Sequence, residues 1–150
     1  MNGTGLVGIL HPVVITGDFD STLSFYRDLL GFVPQPVTTH DPQKLTALGG
    51  PADADAKAVI LNAPDGSELE IASFRFPKGR ARSDRGWTDA GIRSITFVVR
   101  DIVAMTSRLD AAGYPVVNEI VDFTVESEAV RVCYVEGPDG VVLTLLQRGS

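Results

Sequence analysis

Residues 8–32 read GILHPVVITGDFDSTLSFYRDLLGF and residues 92–113 read IRSITFVVRDIVAMTSRLDAAG. In each stretch an apolar run rich in β-branched residues, suited to a strand, ends at an aspartate, Asp18 or Asp101, and helical spacing begins. In the first, Leu23, Tyr26 and Leu30 recur on one face with Phe25 and Leu29 beside them, which predicts a helix over residues 19–30. Asp18, Asp20 or Ser21 can accept hydrogen bonds from its free N–H groups, and Gly31 can take the left-handed conformation that ends it. In the second, the helix opened by Asp101 runs through Met105 and Leu109 to Gly113.

Outward from these two stretches the parallel continues. The first strand is expected over residues 8–16; after the helix come residues 32–38, a polar Ala/Gly-rich stretch over 39–56 read as a solvated loop, a strand at 57–62, the turn Pro64-Asp65-Gly66 and a strand at 68–74. The second half offers strands at 92–99, 115–121 and 129–135, the turn Pro138-Asp139-Gly140 and a strand at 141–147. Independent turn chemistry would have to coincide at several matched places, so the order is read as an internal duplication. The expected fold is α+β, with two tandem βαβββ modules over residues 6–76 and 90–148 and a linker over 77–89, in one domain over 1–150.

Composition narrows the partners. The chain has 150 residues, 44% hydrophobic and 21% charged, with a formal charge of −6. No apolar run is long enough to cross a bilayer, and residues 1–8 lack the basic start and apolar stretch of a signal peptide, so a cytoplasmic protein without a membrane partner is expected. The acidic balance and the lack of a basic, aromatic-studded face disfavour nucleic acid. Cys133 is the only cysteine and sits in an apolar strand pattern, which leaves no disulfide framework or cysteine metal cluster. Arg75, Lys78, Arg80, Arg82 and Arg85 crowd the connector between modules and read as a solvated linker rather than an anion grip.

HPVVITGD at residues 11–18, followed by Ser21, Phe25-Tyr26-Arg27 and Leu30-Gly31-Phe32, resembles the opening strand and helix of the vicinal oxygen chelate superfamily of glyoxalases, epimerases, extradiol dioxygenases and bleomycin-binding proteins. The Pro-Asp-Gly turn before a glutamate-bearing strand is similar too, and the resemblance spans essentially the whole chain. It implies that each module curls its sheet, that the two sheets enclose a cavity for a small molecule and usually a divalent metal, and that metal ligands occupy the first and last strand of each module. Fold alone does not settle function.

At those four positions stand His11 and Glu70 in module one, and Ser94 and Thr144 in module two; Glu70 and Thr144 each lie four residues after a turn glycine, Gly66 and Gly140. Neutral hydroxyls are poor primary ligands for zinc, nickel or iron. No resident cofactor is therefore expected, and a divalent metal, if bound, would sit on His11 and Glu70 with Glu68 or His40 as a further donor. Without metal, His11 and Glu70 form a candidate acid–base pair, with Glu70 removing a proton beside a carbonyl. Pro12 removes a ladder donor and points to a free edge or bulge there. Alternation places Ser94, Thr96 and Val98 on one face and Val142, Thr144 and Leu146 on another, an apolar lining with hydroxyls that suits a hydrophobic ligand. Ser94, Thr96, Thr144, Leu146 and Glu68 are the candidate substrate-binding residues; Phe25, Tyr26 and Phe97 are assigned to the core. Trp87 covers a cavity mouth or meets another subunit, and the sequence does not choose.

Two functions follow. One is a small-molecule enzyme of lyase or isomerase type, metal-independent, acting on a hydrophobic or carbonyl-bearing metabolite through His11 and Glu70. The alternative is a non-catalytic protein that sequesters an antibiotic or metabolite, as bleomycin-binding relatives do. An extradiol dioxygenase is disfavoured, because its two-His-one-carboxylate iron site has one histidine too few. Open sheet edges and the resemblance point to a homodimer.

Overall fold

A computed structural model describes residues 5–80 and 86–149. The chain divides into two compact units, the first running to Gly79 and the second beginning at Arg80. The first contains strand β1 (Val13–Ile15), helix α1 (Phe19–Ser24) continued by a π-helical turn (Phe25–Leu29), strands β2 (Val33–Pro34) and β3 (Thr38–Thr39), helix α2 (Pro42–Ala47), and strands β4 (Asp55–Asn62) and β5 (Glu68–Phe76). Its sheet runs β1-β5-β4-β2, with β3 also on β4; β1 is parallel to β5 and the other pairings are antiparallel. The second contains β6 (Ile95–Val98), α3 (Ile102–Ala111), β7 (Val121–Val125), β8 (Glu128–Glu136) and β9 (Val142–Arg148), in the sheet order β6-β9-β8-β7 with β6 parallel to β9. The α+β class and one sheet for each module are as expected; each sheet is mixed.

The registers carry the duplication. In the first unit Val13 pairs with Glu70, and in the second Thr96 pairs with Thr144. His11 lies two residues before Val13 and Ser94 two before Thr96; Asp18 and Asp101 each lie five residues beyond. Both aspartates cap their helices, Asp18 Oδ1 accepting from Ser21 N–H at 3.1 Å and Asp101 Oδ1 from Ala104 N–H at 2.9 Å. The two Pro-Asp-Gly turns close alike, with Ala63 N–H donating to Ser67 O and Gly137 N–H to Val141 O, both at 2.8 Å. Gly66 and Gly140 take positive φ, 87° and 71°, which an L side chain resists. In the first turn the Ser67 hydroxyl, and then its N–H, donate to Asp65 and hold that carboxyl below the usual carboxylate range. Asp101→Ala should remove one such cap and lower stability by about 0.5–2 kcal/mol, read from the urea midpoint.

Each sheet buries one face. Val14, Val59, Leu61, Leu69 and Ile71 are nearly fully buried with Phe19, Phe25 and Tyr26; in the second unit Cys133, Val135, Leu143, Leu145, Ile102 and Leu109 play this part. Phe25 and Tyr26 pack edge to face, their centroids 5.0 Å apart, confirming their core assignment. The opposite faces stay more open: Val13 and Ile15 on the first, Val98, Val121, Phe123 and Val125 on the second are 42–63% exposed.

Several boundaries depart from expectation. The first strand covers three residues rather than 8–16, because Pro12 has no N–H for the ladder and Ile9 and Leu10 stay exposed; β1 is an edge strand, as Pro12 suggested. The first helix switches at Phe25 to π geometry, with Leu30 N–H donating to Phe25 O five residues back. The stretch at 39–56 is not a bare loop, since α2 forms there with Asp41 as cap and Pro42 in its first turn. The stretch expected as a strand at 115–121 is held by a Val116–Val135 bridge, with Val117 N–H donating to Tyr134 O and Glu136 N–H to Pro115 O; the regular strand is β7, which begins at Val121 and is joined to β8 by a two-residue turn, Glu126-Ser127, with both φ positive.

Candidate functional site

The open face of the first sheet carries one polar cluster. β5 presents Glu68 and Glu70 on the same side, two residues apart, as strand periodicity requires. The edge strand reaches past its own end to them: Glu70 N–H donates to Pro12 O at 3.0 Å, which fixes the backbone beside His11. His11 Nε2 then lies 2.9 Å from Glu70 Oε2, and Nδ1 lies 3.4 Å from Glu68 Oε2. Asn62, across the ladder from Glu68, donates to Glu68 Oε1 at 3.3 Å and accepts from Gln35 Nε2 at 2.9 Å. His11, Glu70 and Glu68 are 14%, 18% and 26% exposed, so they are largely desolvated yet reachable. Carboxylates accept, and an imidazole N–H donates, so the ring faces an acceptor at each nitrogen. Such a cluster can give or take a proton without moving a backbone atom.

The twin positions in the second unit hold hydroxyls. Ser94 Oγ and Thr144 Oγ1 are 2.8 Å apart and bonded to each other. Thr144 is buried, Thr96 exposed and Leu146 half-buried, and these side chains share the face turned away from the buried Leu143 and Leu145. Trp87 is 64% exposed and packs edge-on to Tyr134, the register partner of Thr144, with centroids 5.1 Å apart.

A family model described as the Glyoxalase/Bleomycin resistance protein/Dioxygenase superfamily matches residues 8–145. The chain belongs to that superfamily. A probable lactoylglutathione lyase from Vibrio parahaemolyticus serotype O3:K6 (strain RIMD 2210633) is 24% identical over 139 residues, 93% of this chain and 89% of that protein. Among solved structures, a glyoxalase family protein from Bacillus cereus matches with a TM-score of 0.86 and 23% identity, over 100% of this chain and 99% of its own. The trypanothione-dependent glyoxalase I of Leishmania major matches with a TM-score of 0.63 and 20% identity, over 92% of this chain and 84% of its own.

The superfamily resemblance implies a divalent metal, and the donors here do not fit one. Both ring nitrogens of His11 already meet carboxylates, and because those nitrogens point in divergent directions, Glu68 and Glu70 cannot close on one ion beside a single nitrogen. Ser94 and Thr144 are neutral hydroxyls bonded to each other, and neutral hydroxyls are poor primary ligands. Among the described residues, no three His, Cys, Asp or Glu side chains are grouped to hold a metal ion. His40 joins the sheet by its backbone, donating to Ala56 O at 2.9 Å. Cys133 is fully buried and burial pushes its thiol up, so it is a poor nucleophile in this glyoxalase-superfamily fold.

Sequence reading missed Asn62, Gln35 and Arg93. Asn62 and Gln35 are legible only once the β2–β4 register is known. Arg93 precedes a candidate residue, Ser94, and its guanidinium carbon lies 4.0 Å from the Trp87 ring centroid. Of the basic residues in the connector, Arg75 pairs with Asp55 across the β4–β5 ladder, Lys78 and Arg80 are exposed, and Arg82 and Arg85 lie outside the described residues.

Proposed function

We propose that this chain is a small-molecule enzyme of lyase or isomerase type, working without a resident metal on a hydrophobic or carbonyl-bearing metabolite. The observation that carries this reading is the 2.9 Å contact between His11 Nε2 and Glu70 Oε2 on an open sheet face. Glu70 as carboxylate takes a proton from the carbon beside a carbonyl; the C–H electrons move into an enolate, and His11 steadies or protonates its oxygen. Glu68 acts as a positioning residue, holding the far edge of the ring. The name of the Vibrio relative, a probable lactoylglutathione lyase, supports the lyase class. Turnover should survive dialysis against a chelator, with the melting temperature unchanged. Activity that vanishes on chelation and returns with zinc, nickel or iron would sink the metal-free reading.

One observation favours the alternative, a protein that sequesters its ligand. The Ser94–Thr144 hydroxyl pair is neutral, and the face around it, with Thr96 and Leu146, offers hydroxyls and apolar surface suited to holding a hydrophobic molecule rather than reacting with it. The titration and turnover assay on Glu70→Gln separates the two readings. Either form is proposed to be a homodimer, since the edge strands β1, β2, β6 and β7 leave ladder groups for a second chain. Light scattering at micromolar concentration should return twice the chain mass; a monomer mass would exclude the dimer.

A further inference from the structure

Four arginines, Arg27, Arg75, Arg131 and Arg148, each pair with a carboxylate, and all but the half-buried Arg131 are exposed. Arg93 is half-buried, and its Nε is fully buried with no hydrogen-bond partner among the described residues. Its guanidinium lies against two rings, 4.0 Å from the centroid of Trp87 and 5.6 Å from that of Tyr134. Asp89 spends a carboxylate oxygen on Gly86 N–H, and Glu136, two residues beyond Tyr134, forms no ion pair among the described residues.

Contact with the face of an aromatic ring holds a guanidinium in place but uses none of its N–H donors. Arg93 is only half-buried, and no carboxylate pairs with it among the described residues, so its guanidinium keeps donors for one. The two Nη groups form a fork whose spacing matches the two oxygens of a carboxylate. Beside it, Tyr134 stands opposite Thr144, and the Ser94–Thr144 pair consumes one of its two hydroxyl protons, leaving the other to donate. We infer that Arg93, seated against Trp87 and Tyr134, the latter the register partner of Thr144, is a binding site for a monoanionic carboxylate on the ligand. One cation with neutral donors balances a single negative charge, whereas a phosphate dianion calls for more positive charge than this face supplies. The inference rests on the ligand-binding reading of the second unit's open face, not on the His11–Glu70 chemistry.

Trp87 is the only tryptophan, so its fluorescence reports this site directly. The whole protein is titrated at fixed ionic strength with cyclohexanecarboxylate, with cyclohexylmethanol as neutral counterpart, and with inorganic phosphate. The acid should bind roughly ten- to hundred-fold tighter than the alcohol. Arg93→Met, which keeps an apolar stem against the rings, should abolish that preference. Equal binding of acid and alcohol overturns the Arg93 assignment while leaving an apolar ligand face intact; no saturable response to either overturns both. Phosphate binding as tight as the acid's overturns the carboxylate class. Should Arg93→Met fail to fold, the unaltered chain decides: the nitrogen-15 resonance of Arg93 Nε–H should move with the acid and stay still with the alcohol, and a resonance unmoved by the acid overturns the site.

Discussion

Glu70→Gln is expected to bind a turned-over ligand nearly as well as the parent chain while its rate falls by roughly two to four orders of magnitude. The amide has almost the shape of the carboxylate, and its carbonyl can still accept from His11 Nε2 at the 2.9 Å seen for Glu70. The backbone bond from residue 70 to Pro12 O is untouched, so β1 keeps its register. What disappears is the ability to receive a proton, a loss felt in the transition state. A protein that only sequesters its ligand has no turnover to lose, and its affinity would drop by about 1–3 kcal/mol only where Glu70 accepts a hydrogen bond from the ligand. Turnover equal to the parent's would remove Glu70 as the base and leave any chemistry to His11 or another group.

Leu61→Ala should produce the largest stability loss of any single truncation near the site, about 2–5 kcal/mol. Leu61 and its register partner Leu69 are 0% and 1% exposed, and they lie under the strands that carry Asn62, Glu68 and Glu70 on the other side. A void there has no solvent to fill it and removes the contacts that hold β4 against β5. Each kcal/mol should lower Tm by about 2–4 °C in a chain of this size. Val33→Ala, at a position 66% exposed on the neighbouring strand, should stay within about 0.5 kcal/mol. Equal losses at the two positions would show that the buried face of the first sheet has been misassigned.

What the sequence disclosed and what it hid divide along a physical line. Asp18, Asp101 and the two Pro-Asp-Gly turns act through hydrogen bonds a few residues away, so their signal is local and both ends of the repeat could be placed. His11, Glu70, Ser94 and Thr144 were found through family position and strand periodicity, and the ladders bring each pair within hydrogen-bond distance. Helix α2 was missed although Asp41-Pro42 is a cap followed by a first-turn proline; its lack of buried residues erased the apolar period that the eye follows. The β7–β8 hairpin was missed because Glu126-Ser127 is an unfavoured pair for two positive φ angles, held there by the pairing of the strands. Arg93 and Asn62 depend on neighbours far along the chain, and no local pattern announces them.

The matched registers have an evolutionary consequence. Positions 94 and 144 repeat the backbone geometry of positions 11 and 70, so the molecule holds a second berth for a histidine–glutamate contact that two codon changes, Ser94→His and Thr144→Glu, would occupy. Nothing in the ladder need be rebuilt for the chemistry to appear, vanish or change sides; selection acts on the occupants while the berths persist. Relatives with the same scaffold can thus differ in trade without differing in architecture, and a histidine or glutamate lost from one copy is a reversible loss.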